Sequence, residues 1–223
     1  ELDDLFSNYR RSYINENITK SIDKKDALAV AKKYLCSDTF EPELKRIFRK
    51  NSVGVTKGIP VHYLVQSDNA HRLADTLVSS LYSNNRLGCA RYTVLDLYNL
   101  SARSSDIREL FRVCSGSTII MNCCGLKCTN SDNCTADETI PDIIFDLINA
   151  YKNEIQFIFT FSNDGPSLPD AVEEKLGAIT FVKLADDTVE NEDAHKYLRK
   201  LCREENTSCD KDLLSLCAKD TPY

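Results

Sequence analysis

Apolar positions along this chain fall into two rhythms, one helical and one strand-like. Residues 1–50 keep the helical one. Leu2, Leu5, Phe6 and Tyr9 share a face, as do Ala27, Val30, Ala31 and Leu35, with Leu44, Ile47 and Phe48 following. Gly54 and Gly58 then mark a loop or boundary. Beyond it the rhythms alternate. Residues 61–65 are apolar and strand-like, and 69–82 place Leu73, Leu77, Val78 and Leu81 at helical spacing. Residues 90–98 (ARYTVLDLY) alternate as a half-buried strand does. Ser104 or Ser105 caps a helix with Ile107, Leu110, Phe111 and Cys114 on one side. Residues 118–123 (TIIMNC) form a strand whose polar members are Thr118 and Asn122. Thr139 caps a helix with Pro141 in its first turn and Ile144, Leu147, Ile148 and Tyr151 facing inward. Residues 155–161 (IQFIFTF) make another buried strand, Ser167 with Asp170 opens a short helix, and 179–184 is a fifth strand. From Thr188 onward the chain is helical, with Val189, Ala194, Tyr197, Leu198 and Leu201 on one element and Leu213, Leu214 and Cys217 on another.

Largely apolar strands separated by helices predict a mainly parallel five-stranded sheet covered on both faces. Right-handed crossovers make that a three-layer α/β/α sandwich. The expected division is a helical segment over 1–50, an α/β domain over 51–187, and a further helical part over 188–223. A chain of 223 residues accommodates this with a substantial core. The net charge of −6 lacks the basic stripe of a nucleic-acid binder, so nucleic acid is not an expected partner. Lys45, Arg46, Arg49 and Lys50 read as the solvated face of a helix. No apolar run approaches the roughly 20 residues of a membrane helix, and no membrane partner is expected.

The loop between the first strand and its helix is the most informative stretch. Gln66-Ser67-Asp68-Asn69-Ala70-His71 has no glycine and no lysine, and it carries an acid. A phosphate loop needs glycines so that backbone N–H groups can close around phosphates, and a lysine to meet their charge. His71 and Arg72, at the helix start, could meet an anion through the helix dipole, or they are solvated residues of a first turn.

Across roughly residues 40–223 the succession resembles the AAA+ ATPase family. Lys57-Gly58-Ile59-Pro60 before a strand is similar to the lead-in to Walker A, and Ser117–Cys124 (STIIMNCC) stands where Walker B would be. Residues 155–164 resemble the sensor-1 strand, with Ser162 and Asn163 in the place of its terminal polar pair. Residues 168–172 followed by 179–184 are similar to the segment that forms the last strand, and 188–223 look like the start of the helical lid. The resemblance implies a P-loop NTPase-like fold. It also exposes three departures. Ala70, His71 and Arg72 stand where the phosphate-binding lysine and its Thr or Ser would be. Asn122 and Cys123 replace the two Walker B acids. Glu173-Glu174-Lys175 offers no arginine finger. A start at Glu1 and an end short of a full lid read as a fragment or a processed protein.

The expectation is therefore a catalytically silent AAA+-like module of a larger protein, acting through protein partners, either other AAA+ domains or a separate chain. No catalytic residue, metal or cofactor is expected. Any residual nucleotide contact would fall on Ser67, Asn69, His71, Arg72 and Asn163. The alternative is a nucleotide-binding AAA+ ATPase with a non-standard phosphate loop.

Ten cysteines complicate the picture. Several fall at positions expected to be buried, where reduced thiols act as small hydrophobes, which favours a reducing cytoplasm. Four Asn-x-Ser/Thr sequons (Asn17, Asn99, Asn133, Asn206) keep a secreted, disulfide-bearing binding domain as an alternative. Cys124, Cys128 and Cys134 could ligate zinc, or stay as thiols, or pair locally as Cys128–Cys134. A Cys/His nucleophile would need His62, His71 or His195 beside a cysteine, and no local signature supports one. The acidic run 186–193 suits a helix start and matches no calcium loop.

Overall fold

The computed structural model describes residues 59–67, 70–83, 90–100, 104–126, 140–163, 168–184, 191–208 and 210–220, together with positions 6, 8, 9, 19–23, 25, 46, 47 and 49. Strand β1 is Thr19–Ser21, β2 His62–Gln66, β3 Arg91–Asp96, β4 Thr118–Asn122, β5 Gln156–Phe161 and β6 Phe181–Leu184. The described helices are α1 (Ala70–Ser83), α2 (Ser104–Val113), α3 (Asp142–Tyr151), α4 (Leu168–Lys175), α5 (Asn191–Glu204) and α6 (Lys211–Asp220). They form one six-stranded sheet in the order β1-β3-β4-β5-β2-β6, parallel but for β1. No described helix is long and apolar enough to cross a membrane.

The expected α/β/α sandwich is present, and its two faces follow from strand alternation. Tyr63, Val65, Ile120, Ile158, Val182 and Leu184 point to one face and pack against Leu73, Ala74, Leu77, Val78 and Leu81 of α1. Leu64, Ile119, Met121, Phe157, Phe159 and Phe161 point to the other, under Ile107, Leu110 and Phe111 of α2, Ile144, Phe145 and Ile148 of α3, and Leu168 and Val172 of α4. The connection from β2 to β3 runs along the sheet in one direction, and those from β3 to β4, β5 and β6 run in the other. Among these crossover helices, right-handed connections then require α1 on one side and α2, α3 and α4 on the other.

Two expectations are corrected. The sheet has six strands, because Thr19–Ser21, within the segment read as helical, adds to the free edge of β3 as an antiparallel strand. An unpaired edge of backbone N–H and C=O groups outweighs a weak local helical pattern in this short polar stretch. Ile47 from the same segment is fully buried in the α1-side core. Pro141 directly precedes the first helical residue of α3 rather than sitting inside it, and Thr139, its expected cap, lies outside the described residues. The cysteine-bearing stretch 127–139 also lies outside them.

Candidate functional site at the carboxyl end of the sheet

Adjacent strands β2 and β5 send their connections in opposite directions, which makes the boundary between them the switch point of the sheet. In open α/β sheets ligands bind at such a switch point. Ser67 follows β2, is buried, and donates its N–H to the Phe161 carbonyl at 3.1 Å, extending the ladder with β5. Its own carbonyl accepts the Ala70 N–H at 3.2 Å, which starts α1. Three residues, 67–69, thus separate β2 from α1. A Walker A loop has six residues before its lysine. Asn163 is exposed two residues beyond β5, while His71 and Arg72 are exposed in the first turn of α1. The fold brings Ser67, His71, Arg72 and Asn163 to one end of the sheet, and Asn69 lies outside the described residues.

The neighbouring strand tips carry a polar row that sequence reasoning did not assemble. Register places Asp96 of β3, Asn122 of β4 and Thr160 of β5 side by side on the α1 face. Asn122 is buried. Its Nδ2 donates to Asp96 Oδ1, and its Oδ1 accepts the Cys124 N–H at 3.1 Å and the Thr160 hydroxyl at 3.3 Å. The amide therefore satisfies a carboxylate, a backbone donor and a hydroxyl together. Next to the row, the Tyr98 ring lies against Gly125. A Cβ at 125 would stand 2.5 Å from Tyr98 Cγ, so this close approach requires glycine. The clue available in sequence was Asp96 itself, an acid ending an alternating strand, but its neighbours are 26 and 64 positions away and only the register unites them.

The thiols here are protonated. Burial pushes the Cys123 thiol well up, with Cys124 adding to the effect, and burial also raises Cys124 despite a lowering hydrogen bond from Thr160. Thiolate is the form that attacks carbonyls or binds metal, so neither residue is poised for that work. Among the described residues no three His, Cys, Asp or Glu side chains converge to hold a metal. His62 sits at the opposite, amino end of β2. The pairing of His62 with a cysteine at this site does not occur.

No family model matches the chain, and no curated protein matches it. Solved structures do. The FIGL-1 AAA domain aligns over 95% of this chain and 71% of its own, at 14% identity and a TM-score of 0.55. A chain of the E. coli MS115-1 HORMA:CdnC:Trip13 complex aligns over 91% and 79%, at 9% identity and a TM-score of 0.53. At these identities the likeness shows the fold alone, and that fold is AAA-like.

Proposed function

We propose that this chain is a catalytically silent AAA+-like module of a larger protein that works by protein interaction and assembly. The observation that carries the reading is Asn122. It stands where the resemblance places a magnesium-binding acid, and its amide is committed to Asp96, Thr160 and Cys124. A neutral amide in that place cannot neutralise a divalent cation. The three-residue passage from β2 to α1 supports the same conclusion, since it is too short for backbone N–H groups to encircle a phosphate. Ser67, Asn69, His71, Arg72 and Asn163 are the positions at which residual nucleotide contact would be found. The test is calorimetric titration with ATP, with and without Mg²⁺, alongside a phosphate-release assay. No heat of specific binding and no turnover are expected. Micromolar affinity with turnover would establish the non-standard ATPase instead.

A further inference from the structure

The strand-tip row ends at the protein surface. Asp96, the last residue of β3, is exposed, whereas Asn122 beside it is buried. Asn122 donates an N–H to Asp96 Oδ1, and a neutral amide brings no countercharge. The carboxylate is therefore oriented by its neighbour and keeps its charge where solvent reaches it. Strands β4 and β5 separate this tip from the switch point between β5 and β2.

Tyr98 stands on the other flank of the same tip. It belongs to the 3₁₀ turn Leu97–Asn99 that follows β3, pinned by buried Leu97 and by Leu100, which packs on the α2-side core. Beyond β4 the chain turns over residues 123–126, closed by the Leu126 N–H on the Cys123 carbonyl at 3.0 Å. Asn122 Oδ1 accepts the Cys124 N–H at 3.1 Å, so one amide fixes both the carboxylate and this turn. Gly125 of the turn lies against the Tyr98 ring. A Cβ there would stand 2.5 Å from Cγ, and 2.8 and 2.9 Å from Cδ1 and Cδ2. The in-plane side of Cγ is filled by the tyrosine's own Cβ. A point nearest Cγ and almost equidistant from the two Cδ atoms therefore lies over the ring face. The glycine backbone supports that face, and because Tyr98 is 52% exposed, its opposite face and hydroxyl edge meet solvent.

The geometry points to the tip of β3 as a docking point for an arginine side chain of a protein partner, its guanidinium pairing with the Asp96 carboxylate and stacking on the open face of Tyr98. A carboxylate selects a cation, and a flat aromatic platform selects a planar one. Guanidinium meets both demands, whereas ammonium is a compact point charge. A nucleobase would stack too, but Asp96 offers it no ion pair and the net charge of −6 opposes its phosphates. The inference deepens the interaction reading above and rests on it for the partner being a protein. The contact itself is measured without nucleotide, so its failure and a failure of the calorimetry are separate results.

The test is a titration of the isotope-labelled full chain with N-acetyl-arginine amide, followed by NMR. Perturbed signals at Asp96, Tyr98, Cys124 and Gly125 are expected, with upfield shifts of the ligand's side-chain methylene protons where they lie over the ring. The citrulline amide has the same shape without the charge and should leave these signals in place. Asp96→Asn keeps the oxygen that accepts Asn122 and loses the charge, while Tyr98→Leu keeps an apolar cover on Gly125 and loses the ring. Each should weaken the arginine amide about threefold, with the melting temperature showing that the fold is kept. The proposal is overturned if arginine perturbs nothing at this tip, if citrulline acts as well as arginine, or if either variant binds arginine as the parent chain does. Adenosine moving the same signals where arginine leaves them still would assign the platform to a nucleobase and overturn it as well.

Discussion

On the α1 face, β3, β4 and β5 build the same device at both ends of the sheet. At the amino end the row is Tyr92, Thr118 and Gln156. At the carboxyl end it is Asp96, Asn122 and Thr160, with Val94, Ile120 and Ile158 between. Each end uses one buried amide and one threonine hydroxyl. Gln156 Nε2 donates to the Val61 carbonyl at 2.9 Å, and its Oε1 accepts the Thr118 hydroxyl at 3.1 Å. Asn122 does the equivalent with Asp96 and Thr160. The difference lies in what each amide donates to, a neutral backbone carbonyl at one end and a carboxylate at the other. The end at which an α/β sheet ordinarily meets its ligand is thus stitched as a structural end is, around one retained charge.

That charge sets the largest predicted effect. Asn122→Asp replaces an N–H donor with a second carboxylate against Asp96, at a buried position. Two such groups cannot both ionise at contact distance without one being strongly destabilised. A stability loss of about 4 kcal/mol near neutral pH is expected from urea unfolding. One carboxyl of the pair has its pKa raised by the other, so the loss shrinks as pH falls through the carboxyl range and that group takes up a proton. The double variant Asp96→Asn/Asn122→Asp reverses donor and acceptor and should regain most of the loss. If Asn122→Asp is neutral, the amide is not holding the strand tips together.

Acid acts the other way at the amino end. His62 Nδ1 accepts the Phe157 N–H at 3.1 Å and Nε2 donates to the Lys152 carbonyl at 3.1 Å, while the ring stacks on Phe157. Both nitrogens are committed in the neutral form. Burial, the main cause, lowers its pKa to about 4 from the usual 6.5, with the Lys152 charge assisting and the Lys152 carbonyl opposing. The unfolded chain therefore takes up a proton at His62 before the folded one does. Stability should be unaffected above pH 6.5 and fall between 6.5 and 4 by about 3 kcal/mol at most. Urea midpoints across that window measure it. His62→Leu should lower stability throughout and flatten this slope. An unchanged slope in that variant would assign the acid sensitivity elsewhere.

How much of this was legible in the chain depends on the range over which each feature is encoded. The core strands and helices are encoded within single segments, so Leu73, Leu77 and Leu81 announced a helix and its inner face, and the apolar run 155–161 announced a buried strand. Ser67, His71, Arg72 and Asn163 were placed at one end of the sheet because each flanks a readable strand or helix. Strand β1 was missed, since three residues have no period and their strand state comes from the edge of β3 some 70 positions later. The Asp96–Asn122–Thr160 row was invisible for the same reason. Asn122 was conspicuous as an amide where an acid was expected, but its partners follow from register alone.

The smallest predicted effects compare the hydroxyls directly. Thr118→Val and Thr160→Val are the same nearly isosteric change, each at a buried site. At the amino end the Gln156 oxygen loses the Thr118 donor, its one hydrogen bond among the described residues, and is left buried without a partner. At the carboxyl end the Asn122 oxygen keeps the Cys124 N–H when the Thr160 hydroxyl is removed. An unsatisfied buried acceptor costs more than a lost member of a shared pair, so about 2 kcal/mol is expected for Thr118→Val and about 0.5 kcal/mol for Thr160→Val. Thermal and urea unfolding of the two variants side by side give the ordering. A reversed ordering would mean that the strand tips depend on Thr160 more than on the backbone of Cys124, and the stitching at the carboxyl end would then be the tighter of the two.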